Sequence, residues 1–180
     1  MKLHEVCDVQ YGQKTSRYQT LEGKNTARVP VYSYYDSDKR YTVVNKEDLG
    51  KLLLSKAGMV LLNASSHRAE LVDRKEEGKV IPSSFIVLQP KNIDPQYLTW
   101  HLNHDHYFKH QLQKALQGSS IGIISVQHVK DLHIRFPDQK TQKRIGAIVD
   151  LKERKEELVK EREALVDQIL KHINREGIIS

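Results

Sequence analysis

The chain of 180 residues contains little cysteine, proline or tryptophan. Its single cysteine, Cys7, excludes a disulfide framework within the chain and any Cys-x-x-Cys metal site. No apolar run approaches the roughly 18 residues of a membrane-spanning helix. The opening segment, Met1 to Glu5, also lacks the apolar region of a signal peptide. We therefore expect a cytoplasmic protein without a membrane partner.

Sequence motifs for nucleotide binding and for methyl transfer are missing as well. The Gly-Lys pairs at 23–24, 50–51 and 78–79 are each followed by a residue other than Ser or Thr, so no P-loop is present. There is no Gly-x-Gly-x-x-Gly fingerprint, and no Asn-Pro-Pro or Asp-Pro-Pro of amino-methylating DNA enzymes. The sequence therefore carries no signal for a nucleotide-binding or methyl-transfer site.

The charge of the chain is moderately basic. The formal net charge is +6 and the pI is about 9.3. A surplus of this size permits contacts with nucleic-acid phosphates but does not require them.

The order of apolar segments predicts an α+β fold with a mixed or antiparallel sheet. Residues 29–35 and 41–44 are predicted strands, segments 70–72 and 79–81 are predicted to pair, and residues 85–89 form a buried strand. A helix follows from Asp94 through Gln117, with Pro95 in its first turn. Residues 121–126 and 132–136 are predicted strands. Strands before and after one helix do not suggest regular βαβ units.

A long helix is predicted to close the chain. No proline occurs after Pro137, and an apolar stripe runs from Gln139 to about Arg175. About 36 residues at roughly 1.5 Å each give a rod of about 54 Å, which is too long for one small domain to cover. We expect a globular domain over 1–138, a dimerisation and spacer helix over 139–176 and a tail over 177–180. The stripe comprises Ile145, Ile148, Leu151, Leu158, Leu165 and Ile169, interrupted by Lys155 and Arg162.

Two polar clusters have alternative interpretations. His106 and His110 are spaced i, i+4 among four histidines of one helix, which suits either a metal site or a solvated helix face. Glu77-Gly78-Lys79, with an upstream aspartate, has the acid-x-Lys pattern of Mg²⁺-dependent nucleases, although such triplets arise often by chance in a charged chain and a solvated turn also explains it. We favour the structural interpretation of both clusters.

The most specific segment runs from Gly118 to Pro137 and continues into Gln142 and Ile145. This segment resembles the end of a target-recognition domain. The shared features are a Gly/Ser turn, a strand that ends in Ile-Ser, a proline before the helix and Gln-x-x-Ile where the helix begins. That domain is found in the specificity (S) subunit of Type I restriction–modification systems. The first proline of the family's Ile-Pro-x-Pro is Arg135 here. Leu3–Gly12, Val29–Tyr32, Lys56–Leu62 and Ser84–Pro90 resemble earlier parts of the same family.

This resemblance implies a subunit that reads double-stranded DNA and catalyses nothing itself. A separate modification subunit would bind S-adenosylmethionine and methylate adenine N6. A restriction subunit would use ATP and Mg²⁺. One target-recognition domain and one helix look like half of an S subunit. The helix would then pair as an antiparallel coiled coil in a homodimer that reads a bipartite site. Pairing with another half subunit, or a fragment of a longer chain, stays open.

Candidate DNA contacts lie in the polar loops of the target-recognition domain. Basic loop residues are expected to grip phosphates, and small polar or aromatic residues to reach base edges. Loop solvation, or core packing for Tyr32, is the alternative for each. Phosphate candidates are Lys14, Arg17, Lys24 and Arg68; base candidates are Tyr32, Ser33, Tyr34, Ser65, Ser66, His67, Ser119 and Ser120.

Two other functions compete with this interpretation. A Mg²⁺-dependent nuclease would depend on Glu77 and Lys79. A coiled-coil adaptor would use the helix alone and would have no DNA role.

Overall fold

A computed structural model describes residues 1–33, 40–117 and 122–175. Tyr34, Ser119 and Ser120 lie outside these described residues. The fold is α+β, as predicted, with antiparallel strand pairing and a long C-terminal helix. The strands are β1 (Cys7–Tyr11), β2 (Thr26–Pro30), β3 (Tyr41–Asn45), β4 (Val60–Asn63), β5 (Ala69–Leu71) and β6 (Phe85–Pro90). The helices are α1 (Leu3–Val6), α2 (Pro95–His104), α3 (His106–Leu116), α4 (Val126–Asp131) and α5 (Gln139–Arg175).

The main sheet has four strands in the order β1-β6-β4-β5, all antiparallel. Strand β6 lies centrally because Phe85–Leu88 is buried on both faces, and β4 beside it is equally apolar. Strands β2 and β3 form a separate antiparallel pair.

Two apolar layers sandwich the main sheet. On one face Ile86 and Leu88 pack against Leu98, Leu102 and Phe108 of α2 and α3. On the other face Leu61 and Val87 pack in a smaller cluster with Tyr32, Ile81 and Phe85. Helices cover the first face, and residues outside the helices, among them Tyr32 and Ile81, cover the second.

The first turns of α5 belong to this packed structure. The Gln142 side chain is fully buried; its Oε1 accepts from Asp94 N at 2.9 Å, and its Nε2 donates to Pro137 O at 2.8 Å. A Cβ at Gly146 would lie 3.0 Å from Gln96 Cβ, so glycine allows α5 to approach α2 closely. Ile145 packs against the core. The direction of α5 is therefore fixed by its root.

Several local predictions were wrong. The helix over 94–117 is two helices, because extended Asp105 ends α2 and its carboxylate caps α3 by accepting from Phe108 N. Val126–Asp131 is a helix because the Ser125 side chain caps it. In the 132–136 segment, His133 makes only an isolated bridge, with Lys2. Residues 79–81 do not pair with β5; Val80 bridges Val31 and Leu54 instead.

Candidate nucleic-acid interface

A tight clamp presents the N-terminal basic segment. A Cβ at Gly12 would come within 2.1 Å of Pro82 O, so only glycine fits this backbone crossing. The neighbouring Gln13 side chain donates to Lys51 O at 2.8 Å and accepts from Leu53 N at 2.6 Å. The exposed side chains of Lys14 and Arg17 follow this held part of the backbone. They line a cleft of about 460 Å³ together with Tyr11, Tyr18 and Ser83.

A second polar cleft of about 420 Å³ contains residues that sequence reasoning missed. Arg40 and Tyr41 lie just before and at the start of β3, and Tyr41 is 57% exposed. The sequence pattern predicted this strand, but it did not predict that Arg40 and Tyr41 at its start line a cleft. Two of the predicted residues, Tyr32 and Ser33, line this cleft. Its other polar lining residues are Thr15, Gln19, Thr42, Asn63 and Ser84.

Tyr32 packs in the core and also forms part of the wall of this cleft. Its side chain is 5% exposed, and its ring meets Phe85 edge-on with centroids 5.4 Å apart. Its hydroxyl donates to Glu70 Oε2 at 3.3 Å. Burial, followed by the nearby Glu70 charge, raises the pKa of this phenol. The packing alternative therefore describes Tyr32, and we leave it out of the proposed interface.

The loop that holds Ser65, Ser66 and His67 is preorganised. Asn63 Oδ1 accepts from the backbone N–H groups of Ser65 and Ser66, both at 2.9 Å. His67 adopts a positive φ of 58°, which is rare for a non-glycine residue, and its Nε2 lies 3.0 Å from Gly122 O. The exposed hydroxyls of Ser65 and Ser66 are thus presented by a rigid turn. This turn also adjoins Gly122, the first described residue after the Gly/Ser segment.

The predicted DNA contacts occupy more than one place. Lys14, Arg17 and Ser33 line the two clefts described above. Ser66, His67 and Arg68 instead line a groove beside α5. Lys24 lies in an exposed turn next to the ion pair between Arg28 and Glu22.

The acid-x-Lys cluster is occupied by structural contacts. Glu77 Oε1 accepts from Ala57 N at 2.8 Å, and Lys79 forms an ion pair with Glu76. Asp73 caps the following turn by accepting from Lys75 and Glu76 N–H groups. Among residues 1–33, 40–117 and 122–175, no group of three or more His, Cys, Asp and Glu is placed to hold a metal ion. These contacts support the solvated-turn interpretation.

The histidines of this helical segment divide between core and solvent. His101 is 1% exposed, packed between the rings of Tyr97 and Phe108. Burial, the largest cause, lowers its pKa; Asp105, 3.9 Å away, opposes this effect, and Arg135 adds to it. Exposed His106 and His110 lie on α3, beyond the break at Asp105. His101 is therefore a core residue.

The apolar stripe on α5 is uncovered in this chain. Leu151 is 69% exposed, Ile148 66%, Leu165 59% and Ile169 58%, whereas Ile145 is partly buried against the core. Within the described part of the chain, no helix is long and apolar enough to cross a membrane.

Comparison with known proteins decides the family. The family model for the Type I restriction modification DNA specificity domain matches residues 1–168. The chain belongs to this specificity-domain family. Among curated proteins no significant match was found.

Solved structures of specificity subunits share the fold. The HsdS subunit from Thermoanaerobacter tengcongensis matches with a TM-score of 0.60 at 21% identity, over 99% of this chain and 48% of that one. The Type I restriction–modification S subunit from M. genitalium matches with a TM-score of 0.58 at 15% identity, over 96% and 43%. A structure from a study of assembly and conformational transition in the type I R-M system gives 0.59 at 17%, over 96% and 42%. This specificity domain therefore spans less than half the length of the structures that it matches.

Proposed function

We propose that this specificity domain reads one half of a bipartite DNA site and directs a separate adenine-N6 methyltransferase subunit to it. The family match over residues 1–168 is the observation that carries this proposal. A restriction subunit is a further partner of the same assembly. In this division of labour the chain itself supplies recognition and no chemistry, while S-adenosylmethionine, ATP and Mg²⁺ act on the partner subunits.

Contacts with DNA would divide by residue type. Lys14 and Arg17, held by the Gly12–Gln13 clamp, would bind phosphates and set the register on the duplex. Arg40, Tyr41, Ser33 and the loop residues Ser65 to His67 carry groups able to meet base edges in the major groove. A rigid presentation suits this task, because side chains that are already ordered lose less entropy on binding.

The long helix would join two such domains. Its 37 residues span about 55 Å at roughly 1.5 Å per residue. DNA half-sites one helical turn apart are about 34–36 Å from centre to centre. A rod of this length can therefore hold two reading domains over two half-sites with an unread spacer. We retain residues 1–138, 139–176 and 177–180 as the proposed recognition domain, spacer helix and tail.

A second copy of the chain, running antiparallel, is the partner we propose for this helix. In heptad notation the a positions are Ile148, Lys155, Arg162 and Ile169, and the d positions are Leu151, Leu158 and Leu165. Antiparallel helices place a opposite d, so each cation meets a leucine and extends its stem along it. Parallel helices place a opposite a, so Lys155 would face Lys155. Charge repulsion therefore favours the antiparallel arrangement.

The proposal is tested by co-expressing the chain with its candidate modification subunit and mapping the methylated adenines. We expect methylation at an interrupted palindrome, because a twofold pair reads the same half-site twice. Binding should also weaken steeply with salt. About five phosphate contacts give a slope of log K against log salt of about −4 to −5. Methylation without sequence preference, together with a flat salt response, would contradict DNA recognition.

A coiled-coil adaptor without a DNA role makes a different prediction. Replacing Lys14 and Arg17 by glutamine would then leave every partner interaction and every DNA measurement unchanged. Under our proposal the same double variant lowers DNA affinity and reduces the salt slope by about two, since each phosphate contact contributes about one unit. Helix pairing, measured by light scattering, should stay intact in the variant.

A further inference from the structure

Two neighbouring clefts, the first of about 460 Å³ and the second of about 420 Å³, share a wall. Lys14 and Arg17 line the first cleft, whereas Thr15, which lies between them in the chain, lines the second. In the turn before β6, Ser83 lines the first cleft and Ser84 the second. A DNA strand bound by Lys14 and Arg17 would therefore pass directly beside the second cleft.

Asn63 presents hydrogen-bond donors to the second cleft. It lines this cleft, and its Oδ1 accepts from the backbone N–H groups of Ser65 and Ser66, both at 2.9 Å. Because a backbone N–H only donates, these two bonds fix the amide with its oxygen towards the turn and its nitrogen away from it. Among the residues that the structure describes, none accepts a hydrogen bond from Asn63 Nδ2. Both of its N–H groups are therefore left for a molecule bound in the cleft.

Thr42 contributes a buried hydroxyl to the wall of the same cleft. The residue is 5% exposed, and its Oγ1 has no hydrogen-bond partner in the described ranges of the chain. Buried polar atoms in folded proteins are nearly always hydrogen-bonded, because leaving one unpaired is unfavourable. A bound group that accepts a hydrogen bond would remove this penalty. Asn63 and Thr42, from different strands, thus both point to a polar ligand in the second cleft.

The lining of the second cleft is rich in donors and carries positive charge. Arg40 lines the cleft, and a guanidinium donates hydrogen bonds but accepts none. The described residues that line this cleft include no aspartate or glutamate. Their other polar side chains carry hydroxyl and amide groups. Such a composition suits an anionic group with several acceptor oxygens.

The shape of the cleft favours a DNA phosphate over a base edge. Base edges lie at the floor of a major groove about 8.5 Å deep, so only protruding side chains reach them. Phosphates lie on the outside of the duplex, and hydroxyl and amide side chains commonly bind them. Asparagine reads adenine with both its amide oxygen and its amide nitrogen. Because the turn already occupies the oxygen of Asn63, this residue is unsuited to that pairing.

We propose that the second cleft binds one phosphate group of the DNA backbone, which accepts hydrogen bonds from Asn63 Nδ2 and the Thr42 hydroxyl beside the cation of Arg40. The bound phosphate neighbours those held by Lys14 and Arg17 on the same strand. This inference rests on the proposed function and deepens it, because a fixed phosphate sets the register of the protein on the duplex.

The variant Asn63→Asp separates the cleft-facing group from the turn that Asn63 holds. Aspartate keeps an oxygen for the Ser65 and Ser66 N–H groups, but a carboxylate oxygen replaces the Nδ2 donor. In the complex of the full chain with the modification subunit, DNA affinity should fall at least about tenfold, because the carboxylate repels the phosphate. The melting temperature should stay close to that of the wild type, since the turn keeps its hydrogen bonds.

Asn92→Asp is the matched control. It makes the same change of size and charge on the exposed turn that follows β6, whereas Asn63 pairs with Phe85 at the other end of that strand. DNA affinity should change less than about twofold in this variant, because salt screens a distant surface charge. An equal loss of affinity in the two variants would overturn the proposal, since general charge repulsion would then explain both.

Uncharged backbone linkages identify the bound group directly. Duplexes with the methylated half-site are made with a single methylphosphonate, which replaces one charged phosphate, at each position in turn. For Asn63→Asp, one position should restore affinity at least about fivefold, because the repulsion disappears with the phosphate charge. The same linkage should weaken binding of the wild-type chain. This position should adjoin those at which a methylphosphonate no longer affects Lys14→Gln with Arg17→Gln.

Thr42→Val gives an independent measurement. Valine has nearly the same shape but lacks the hydroxyl, so DNA affinity should fall by about three- to tenfold through the lost hydrogen bond. The melting temperature should not fall, because Oγ1 has no partner to lose among the described residues of the free chain. A lower melting temperature with unchanged affinity would contradict the role of this hydroxyl in binding.

Other outcomes separate failure of this inference from failure of the proposed function. If no methylphosphonate restores Asn63→Asp, while the methylated sequence changes at one base, Asn63 contacts that base and the phosphate site is wrong. Unchanged affinity of Asn63→Asp would reject any DNA contact in the second cleft and would leave DNA reading intact. A wild-type complex that methylates without sequence preference would reject the proposed function itself, whatever the variants do.

Discussion

The first turns of α5 and the rest of the same helix have opposite environments. Gln142 is fully buried with both amide groups hydrogen-bonded, and Gly146 lies against Gln96. Beyond Ile148, however, Leu151 is 69% exposed and Leu165 59%. One continuous helix thus begins as part of a domain core and continues as a rod with an uncovered apolar stripe.

This difference separates residues that stabilise the fold within the chain from exposed apolar residues that do not. Burial of apolar surface stabilises a protein by about 25 cal/mol per Å² whichever molecule covers it. Phe108 and Leu98 gain this stabilisation within the chain, since both are 0% exposed. The stripe would gain it only through the helix pairing proposed above.

The largest contrast is expected between Phe108→Ala and Leu151→Ala. Phe108→Ala should lower the free energy of unfolding by about 3–5 kcal/mol, since it leaves a cavity in the core. Leu151→Ala should leave the unfolding of the globular domain nearly unchanged and weaken self-association. Chemical denaturation at low protein concentration and sedimentation at high concentration measure the two effects. A large loss of domain stability in Leu151→Ala would break the contrast.

A smaller effect is expected at the boundary between the two regions. Gln142→Ala should cost about 1–3 kcal/mol, because the part-buried Asp94 N–H and Pro137 C=O lose their partner. Lys143→Ala, one residue further along and exposed, is the matched control and should cost little. Limited proteolysis near Pro137 would report whether the helix root loosens. Equal stability of the two variants would show that Gln142 does not anchor α5.

The smallest effect concerns the buried His101. Its folded-state pKa lies below the ordinary value of 6.5, so the unfolded chain binds a proton more readily. Its contribution to stability is therefore complete above pH 6.5 and is lost as the pH falls below that value, by at most about 1.4 kcal/mol per pH unit. His101→Phe should remove this part of the acid dependence. Parallel pH profiles of unfolding for the two proteins would contradict the assignment.

Regular apolar periodicity, and residues that mark the start or end of an element, predicted helices and strands well. The proline-free heptad stripe predicted α5, and the β-rich segments predicted the strands around Val43 and Val87. The Asp94-Pro95 pair correctly marked the start of α2. The break at Asp105 and the helix at Val126–Asp131 were missed. A single capping side chain, Asp105 or Ser125, decides each of them, and the surrounding apolar pattern does not indicate either.

The polar site was harder to predict than the fold. Lys14, Arg17 and Ser33 do line clefts, but their roles in DNA binding stay predictions. Tyr32 shows the difficulty, because a tyrosine in a short strand has the same sequence signature whether it faces a ligand or a core. Arg40 and Tyr41 enter a cleft only because distant Asn63 and Ser84 complete its wall.

The sequence by itself determined the helical rod, the α+β class and the resemblance to a specificity domain, since local periodicity and ordered motifs carry these. The tertiary structure alone decided that Gln142 and Gly146 fix α5 to α2 and that Tyr32 and His101 are core residues. It also decided that a groove lies beside the exposed stripe. Each of these facts depends on residues far apart in the chain, whose distances no local pattern records.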